Sequence, residues 1–249
     1  MSLPSKPSPR PLVPGAFCDL MESLADDEMV NRVLSHDGTV LRIQRTLLLN
    51  LSPWFKKALT SDFIEGQSLT LRFPGVPSDV VQTFVYWIFH GTLRWREAVT
   101  QGGYFETYGR PQALLARLWM FSEEHLLPEL QHAAMCALSE QLSEAFPAVE
   151  LLLEVYEGTA PDSPLRKLMA NEAASGWRNR RPTDSNGNTY GYSREDLDRL
   201  SAIAGFTADF ATALEMEVAG TITRVLEKRY ELGPKEEIEP ADHADFCGT

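Results

Sequence analysis

Val30-Asn31-Arg32-Val33-Leu34-Ser35-His36-Asp37-Gly38-Thr39-Val40-Leu41-Arg42-Ile43-Gln44 opens the stretch, ending at Gly91, whose reading decides the fold. Two apolar runs flank Asp37-Gly38, a dipeptide that reverses the chain within two residues, so Val30 to Gln44 is predicted to be a β-hairpin. In its second strand Leu41 and Ile43 share one face, and Val40, Arg42 and Gln44 the other. From Arg45 to Leu59 the period changes: Leu48, Leu51, Phe55, Ala58 and Leu59 recur at helical spacing. Pro53 forbids one continuous helix there. Ser52 as N-cap with Pro53 at the first helical position predicts two short helices meeting at a corner. Phe63-Ile64-Glu65-Gly66 reads as a connector. Ser68 to Phe73 alternates as a strand with Leu69, Leu71 and Phe73 on one face. After Pro74 and Pro77, Ser78 is expected to cap a helix with Val81, Phe84, Val85 and Ile88 inward, stopped by Gly91. None of this is catalytic in character; it is architecture, and it points to protein–protein contact.

Outward from this stretch, residues 1–27 read as a mostly disordered, Pro-rich tail, with Pro4 to Pro7 and Pro11 to Pro14 each fitting P-x-x-P and a short helical pattern from Phe17 to Asp27. Downstream, Thr92 to Arg96 reads as one more short strand with Leu93 and Trp95 on a common face. Residues 97–110 lack periodicity and read as an exposed glycine-containing loop. Helices are expected over Pro111–Leu127 (Leu114, Leu118, Phe121) and Pro128–Leu142 (Leu130, Ala133, Ala134, Ala137, Leu138), where alanines permit close approach. Cys136 is expected to be a small core residue of the second. Further helices are expected over Pro147–Glu157, Pro164–Ser175 and from Thr207 to about Arg229. A polar loop at 176–192 separates them, and Ser193 with Asp196 forms a capping box before Leu197. The chain after Pro234 is acidic and reads as disordered.

Composition narrows the function classes. The chain has 249 residues and a formal net charge of −12; the phosphates of a nucleic acid would be repelled, so nucleic acid is not expected as the main partner. Cys18, Cys136 and Cys247 are odd in number and far apart, which predicts neither a disulfide framework nor a zinc site and fits a reducing, intracellular compartment, cytoplasm or nucleus. No signal peptide and no run long enough to span a membrane is read. Phosphate-binding glycine loops and nucleophile elbows are absent from the sequence. The five histidines are scattered, and Pro128 is expected to separate His125 from His132, so no metal and no cofactor is predicted. The glutamates at 123–124 and 236–237 read as solvated surface and tail, and Arg178, Arg180 and Arg181 as a solvated basic patch. Tyr104 and Phe105 in the glycine loop are expected to fold back onto the helices, with a contact site as the alternative. Leu47, Leu51 and Trp54 carry more apolar surface than one small helix pair can bury, which marks a candidate partner interface. These five residues are the candidate site.

The order of elements, with its residues, resembles the BTB/POZ domain. The correspondences are Ile43-Gln44-Arg45-Thr46-Leu47-Leu48 after the second strand, Ser52-Pro53-Trp54-Phe55 at the helix corner, and Phe63-Ile64-Glu65 at the connector. Trp87-Ile88-Phe89-His90-Gly91 matches the helix end, and Phe121 to Leu130 approximates the helix pair that follows. Gln44 stands where the family usually has histidine, and His90 where it often has threonine. Tyr156 to Met169, with Ser163-Pro164-Leu165-Arg166, resembles the helical tail of many fungal BTB proteins. The resemblance implies an α+β fold, a small three- to four-stranded sheet capped by helices over residues 28–145, then an all-α extension over 146–232 and an acidic tail over 233–249. It further implies a non-enzymatic interaction module that forms a homodimer, engages a cullin-type ubiquitin ligase scaffold as an adaptor, or both. The alternative is a transcription-associated regulator with weak nucleic-acid contact.

Overall fold

Val30 and Ile43 face each other across an antiparallel ladder and both are fully buried. The ladder joins β1 (Met29–Val33) to β2 (Val40–Gln44), and β3 (Thr70–Arg72) adds to the other side of β1 in parallel, giving the order β2-β1-β3. The structure, a computed structural model, describes residues 28–33, 40–60, 64–93, 109–178 and 191–218. The Asp37-Gly38 turn, the Phe17–Asp27 helix and both tails therefore lie outside the described residues, as does most of the Thr92–Arg96 strand; Thr92 and Leu93 belong to no strand.

Past Gln44 the chain turns into α1 (Arg45–Leu51) and, after Ser52, into α2 (Pro53–Thr60). The corner forms as its residues predict: the buried Ser52 Oγ accepts the Phe55 N–H at 3.3 Å, while proline opens the second helix. Arg45 fastens the pair, its Nη2 donating to the Leu59 carbonyl at 2.8 Å. The predicted connector is instead a one-turn helix, α3 (Ile64–Ser68), and the strand starts later than Ser68. Ser68 Oγ donates back to the Ile64 carbonyl at 2.6 Å, and Leu69 takes the left-handed conformation at φ 47°, which ends the helix and aims Leu71 and Phe73 into the core.

The next helix is α4 (Ser78–His90). Val81 and Phe84 are buried as expected, joined by Val80, and Gly91 closes the helix at φ 65° with its N–H on the Trp87 carbonyl. The start differs from expectation. Pro77 holds the cap position, Ser78 already lies inside the first turn with its Oγ unpartnered, and Asp79 Oδ1 accepts the Val80 N–H at 2.9 Å. The helix thus begins one residue earlier than expected and has no side-chain cap.

A helical hairpin forms the centre of the molecule: α5 (Arg110–Glu124) and α6 (Pro128–Glu144). Leu115, Leu118 and Trp119 are fully buried in the first; Leu130, Ala134, Ala137 and Leu138 face them from the second. Cys136 is exposed, contrary to expectation. The buried stripe of α6 runs through Ala134, Ala137, Leu138 and Gln141, and at about 100° per residue position 136 falls on the opposite side. Then follow α7 (Val149–Gly158), α8 (Pro164–Arg178), α9 (Arg194–Ser201) and α10 (Phe206–Val218). Helix α8 continues to Arg178, past the predicted loop start at 176. A Cβ at Gly176 would stand 3.0 Å from Phe146 and 3.1 Å from Tyr192, so glycine lets that helix pack without a break. Ser193 and Asp196 form the full reciprocal capping box. Asn186–Asn188 and everything after Val218 lie outside the described residues.

Over the described residues the protein is mixed α+β, mostly helical, with a small three-stranded sheet. One buried apolar cluster runs from Val30 to Phe206 without interruption, and a smaller one joins α8 to α10 through Ala170, Ala174 and Ala213. Arg117 and Glu154 tie α5 to α7 by a two-point ion pair of 2.5 and 2.8 Å. Within the main cluster Phe84 stacks on Phe55 at 5.7 Å and meets Phe121 at 5.1 Å. Phe84→Ala is expected to lower unfolding free energy by roughly 3–5 kcal/mol in urea titration at constant slope. Ser52→Ala is expected to cost about 1 kcal/mol, and a loss no larger than that of an exposed control such as Thr60→Ala would remove the capping role assigned to it.

Candidate functional site

Leu47, Leu51 and Trp54 all sit on the α1–α2 corner, half-buried and packed against the main core. Their inner surfaces belong to the fold and their outer surfaces face solvent. Trp54 is the most constrained of the three: its ring lies 4.4 Å from His125, 5.0 Å from Phe55 and 6.3 Å from Phe73. Tyr104 and Phe105 lie outside the described residues. Among the described residues the large apolar side chains most open to solvent are others, Ile64 at 75%, Leu126 at 54%, Phe89 at 52% and Met29 at 40% exposed. Sequence reasoning does not single out Ile64 or Leu126, because the first falls in the expected connector and the second at the end of an expected helix. Scattered exposed apolar residues are ordinary on protein surfaces, so none of these alone marks an interface.

His125 is buried at the end of α5, its ring stacked on Phe121 at 4.1 Å and its Nδ1–H donating to the Phe121 carbonyl at 2.7 Å. A carbonyl only accepts, which fixes the proton on Nδ1. It is thus a locally bonded histidine, and the break between α5 and α6 separates it from His132, which lies 3.5 Å from the Cys136 sulfur. Among the described residues no group of three or more His, Cys, Asp or Glu is placed to hold a metal ion. Arg178 is exposed at the end of α8; Arg180 and Arg181 lie outside the described residues.

Sequence reasoning missed a cleft of about 630 Å³ between α7, α8, α9 and the start of α10. Its chemistry comes from Tyr156 on α7, Arg166 on α8, Arg199 on α9 and Asp209 on α10, with Gly205 at the turn before α10. The Tyr156 hydroxyl donates to Asp209 Oδ2 at 2.9 Å, and the Arg166 guanidinium lies 4.9 Å over the Tyr156 ring. Arg166 is buried, as its partners show: Nε donates to Thr159 Oγ1 at 3.0 Å, and Nη2 to the carbonyls of Tyr156 and Thr159. The signal for Arg166 was present in the helical period. It stands on the stripe that continues through Met169, Ala170 and Ala173, all buried, where a cation is out of place unless it has partners.

Neither a protein-family model nor a curated protein matches the chain.

Burial, then the hydrogen bond to Asp209, pushes the Tyr156 phenol above its ordinary value near 10, while Arg166 pulls it the other way. The folded state thus favours the neutral phenol. Its stabilising contribution is fully present below the unfolded value of about 10 and is lost as pH rises toward the folded one. Tyr156→Phe is expected to flatten the fall in urea midpoint between about pH 10 and 11 relative to the unchanged protein; parallel profiles would show that Tyr156 is not perturbed.

Proposed function

We propose that this chain is a non-enzymatic BTB/POZ-type interaction protein that works through its apolar surface, by self-association or by holding a cullin-type ubiquitin ligase scaffold. The observation that carries the reading is topological. An antiparallel β1–β2 pair, a two-helix corner at Ser52-Pro53, a β3 strand beside β1, and a helical hairpin follow in the order that the BTB/POZ resemblance implies. The half-buried faces of Leu47, Leu51 and Trp54 support contact with a protein partner, because they hold apolar surface in a fixed orientation at low entropic cost. Burial of such surface, with no bond-making chemistry, is the mechanism. No helix among the described residues is long and apolar enough to cross a membrane. The transcription-associated alternative draws support only from Arg178 and its neighbours in sequence, and the net charge of −12 opposes it.

Light scattering coupled to size exclusion is expected to show a homodimer at micromolar concentration, shifted toward monomer by Leu47→Lys with thermal stability retained. A strict monomer at high micromolar concentration overturns self-association. Copurification of a cullin with the tagged chain is the expected result for the adaptor role, and its absence with an intact fold removes that role.

A further inference from the structure

The cleft beside α8 carries a guanidinium whose structural duties leave one nitrogen over. Nε and Nη2 of Arg166 bond to Thr159 Oγ1 and to the carbonyls of Tyr156 and Thr159, which closes the end of α7, where a helix leaves its last carbonyls unmatched. Every one of these acceptors is neutral, and no carboxylate among the described residues pairs with Arg166. Nη1 takes part in none of the bonds. It is not sealed away either, since the sealed side-chain atoms without a partner among the described residues are Arg45 Nε, Ser78 Oγ and Trp119 Nε1. Nη1 lies 3.6 Å from the point a Cβ on Gly205 would occupy, an ordinary contact distance, and Gly205 is glycine for its left-handed backbone at φ +87°. A guanidinium only 7% exposed, with neutral partners alone and a place in the cleft lining, favours an anion there.

The same cleft also holds a carboxylate with one oxygen to spare. Asp209 accepts the Tyr156 hydroxyl through Oδ2, and no cation among the described residues pairs with it. Arg199 is engaged with Glu150, at 3.1 Å. A ligand that is only anionic meets Asp209, Glu157 and Asp162; one that is only cationic meets Arg166 and Arg199. Leu153, Pro161 and Ile203 add apolar wall. The volume lies in the small-molecule range of about 300–1,000 Å³. We propose that the cleft binds a free α-amino acid, its carboxylate on Arg166 Nη1 and its ammonium on Asp209.

Isothermal titration of the full chain with the common L-α-amino acids, one at a time, tests this directly. At least one is expected to bind one-to-one, and to weaken by at least about tenfold when offered as its primary amide or its N-acetyl derivative, on the order of one charge-assisted hydrogen bond lost. These ligand changes probe both ends of the site without disturbing Arg166, whose replacement would loosen α7. Asp209→Asn keeps an oxygen for the Tyr156 hydroxyl and is expected to weaken binding by a similar factor with an unchanged melting temperature. Absence of heat for every amino acid at millimolar concentration overturns the proposal. So does equal binding of the N-acetyl derivative, or of acetate alone, which would make the cleft a plain anion site.

Discussion

Five aromatic side chains and one histidine hold the sheet to the helices. Phe73 leaves the end of β3 and meets Phe121 at 5.2 Å; Phe121 meets Phe84 of α4; Phe84 stacks on Phe55 of α2; and His125, with Trp54 over it, closes the group. Each pair contributes about 0.5–1.5 kcal/mol beyond the area it buries. More important is what the contacts constrain. A three-residue strand such as β3 has little ladder of its own, and its place beside β1 depends on Leu71 and Phe73 being gripped from the helical side. The histidine fits among apolar rings because its Nδ1–H is satisfied within its own turn, so one of its polar atoms does not weaken the cluster.

That cluster explains why the first half of the chain was largely legible in its sequence. Its defining steps are local. Ser52-Pro53 makes a corner wherever it is flanked by helical patterns, Gly91 ends a helix through its own backbone freedom, and Ile43 alternates with Arg42 because strands alternate. The misreadings occurred where a neighbouring group in space decided the outcome. Leu69 adopts a left-handed backbone because α3 must end before β3 can turn inward. Ser78 is no cap because the helix starts one residue earlier, with Pro77 in the cap position. Cys136 is expected on the apolar face of its helix, whereas the buried stripe through Ala134, Ala137, Leu138 and Gln141 passes it by. Gly176 looked like a loop residue and proved to be a contact requirement of Phe146 and Tyr192.

The candidate interface and the cleft differ in the same way. Leu47, Leu51 and Trp54 could be named from local surplus of apolar residues, and they do lie together on one helix corner. The cleft could not, because its parts are contributed by four helices and two turns spread from Leu153 to Asp209. Asp209 and Tyr156 are 53 positions apart and meet only because α10 packs back along α8, where Ala170, Ala174 and Ala213 allow close approach. No period in a single helix announces such a meeting.

Arg166 is the residue in which these two levels join. A helix end needs carbonyl partners, and Thr159, Ser163 and the α7–α8 turn place a guanidinium where it can supply them. Lysine would carry the same charge but could not reach two carbonyls and a hydroxyl with one planar group, and it would have no second edge to offer. The geometry of arginine therefore has two consequences at once. It fixes the end of α7 against α8, and it leaves Nη1 without a hydrogen-bond partner in a residue that lines the same cleft as Asp209. A helix cap needing only stability could have used any small hydrogen-bond donor. The choice of a buried cation, beside a carboxylate with which it does not pair, is what sets this cleft apart from an incidental gap between helices.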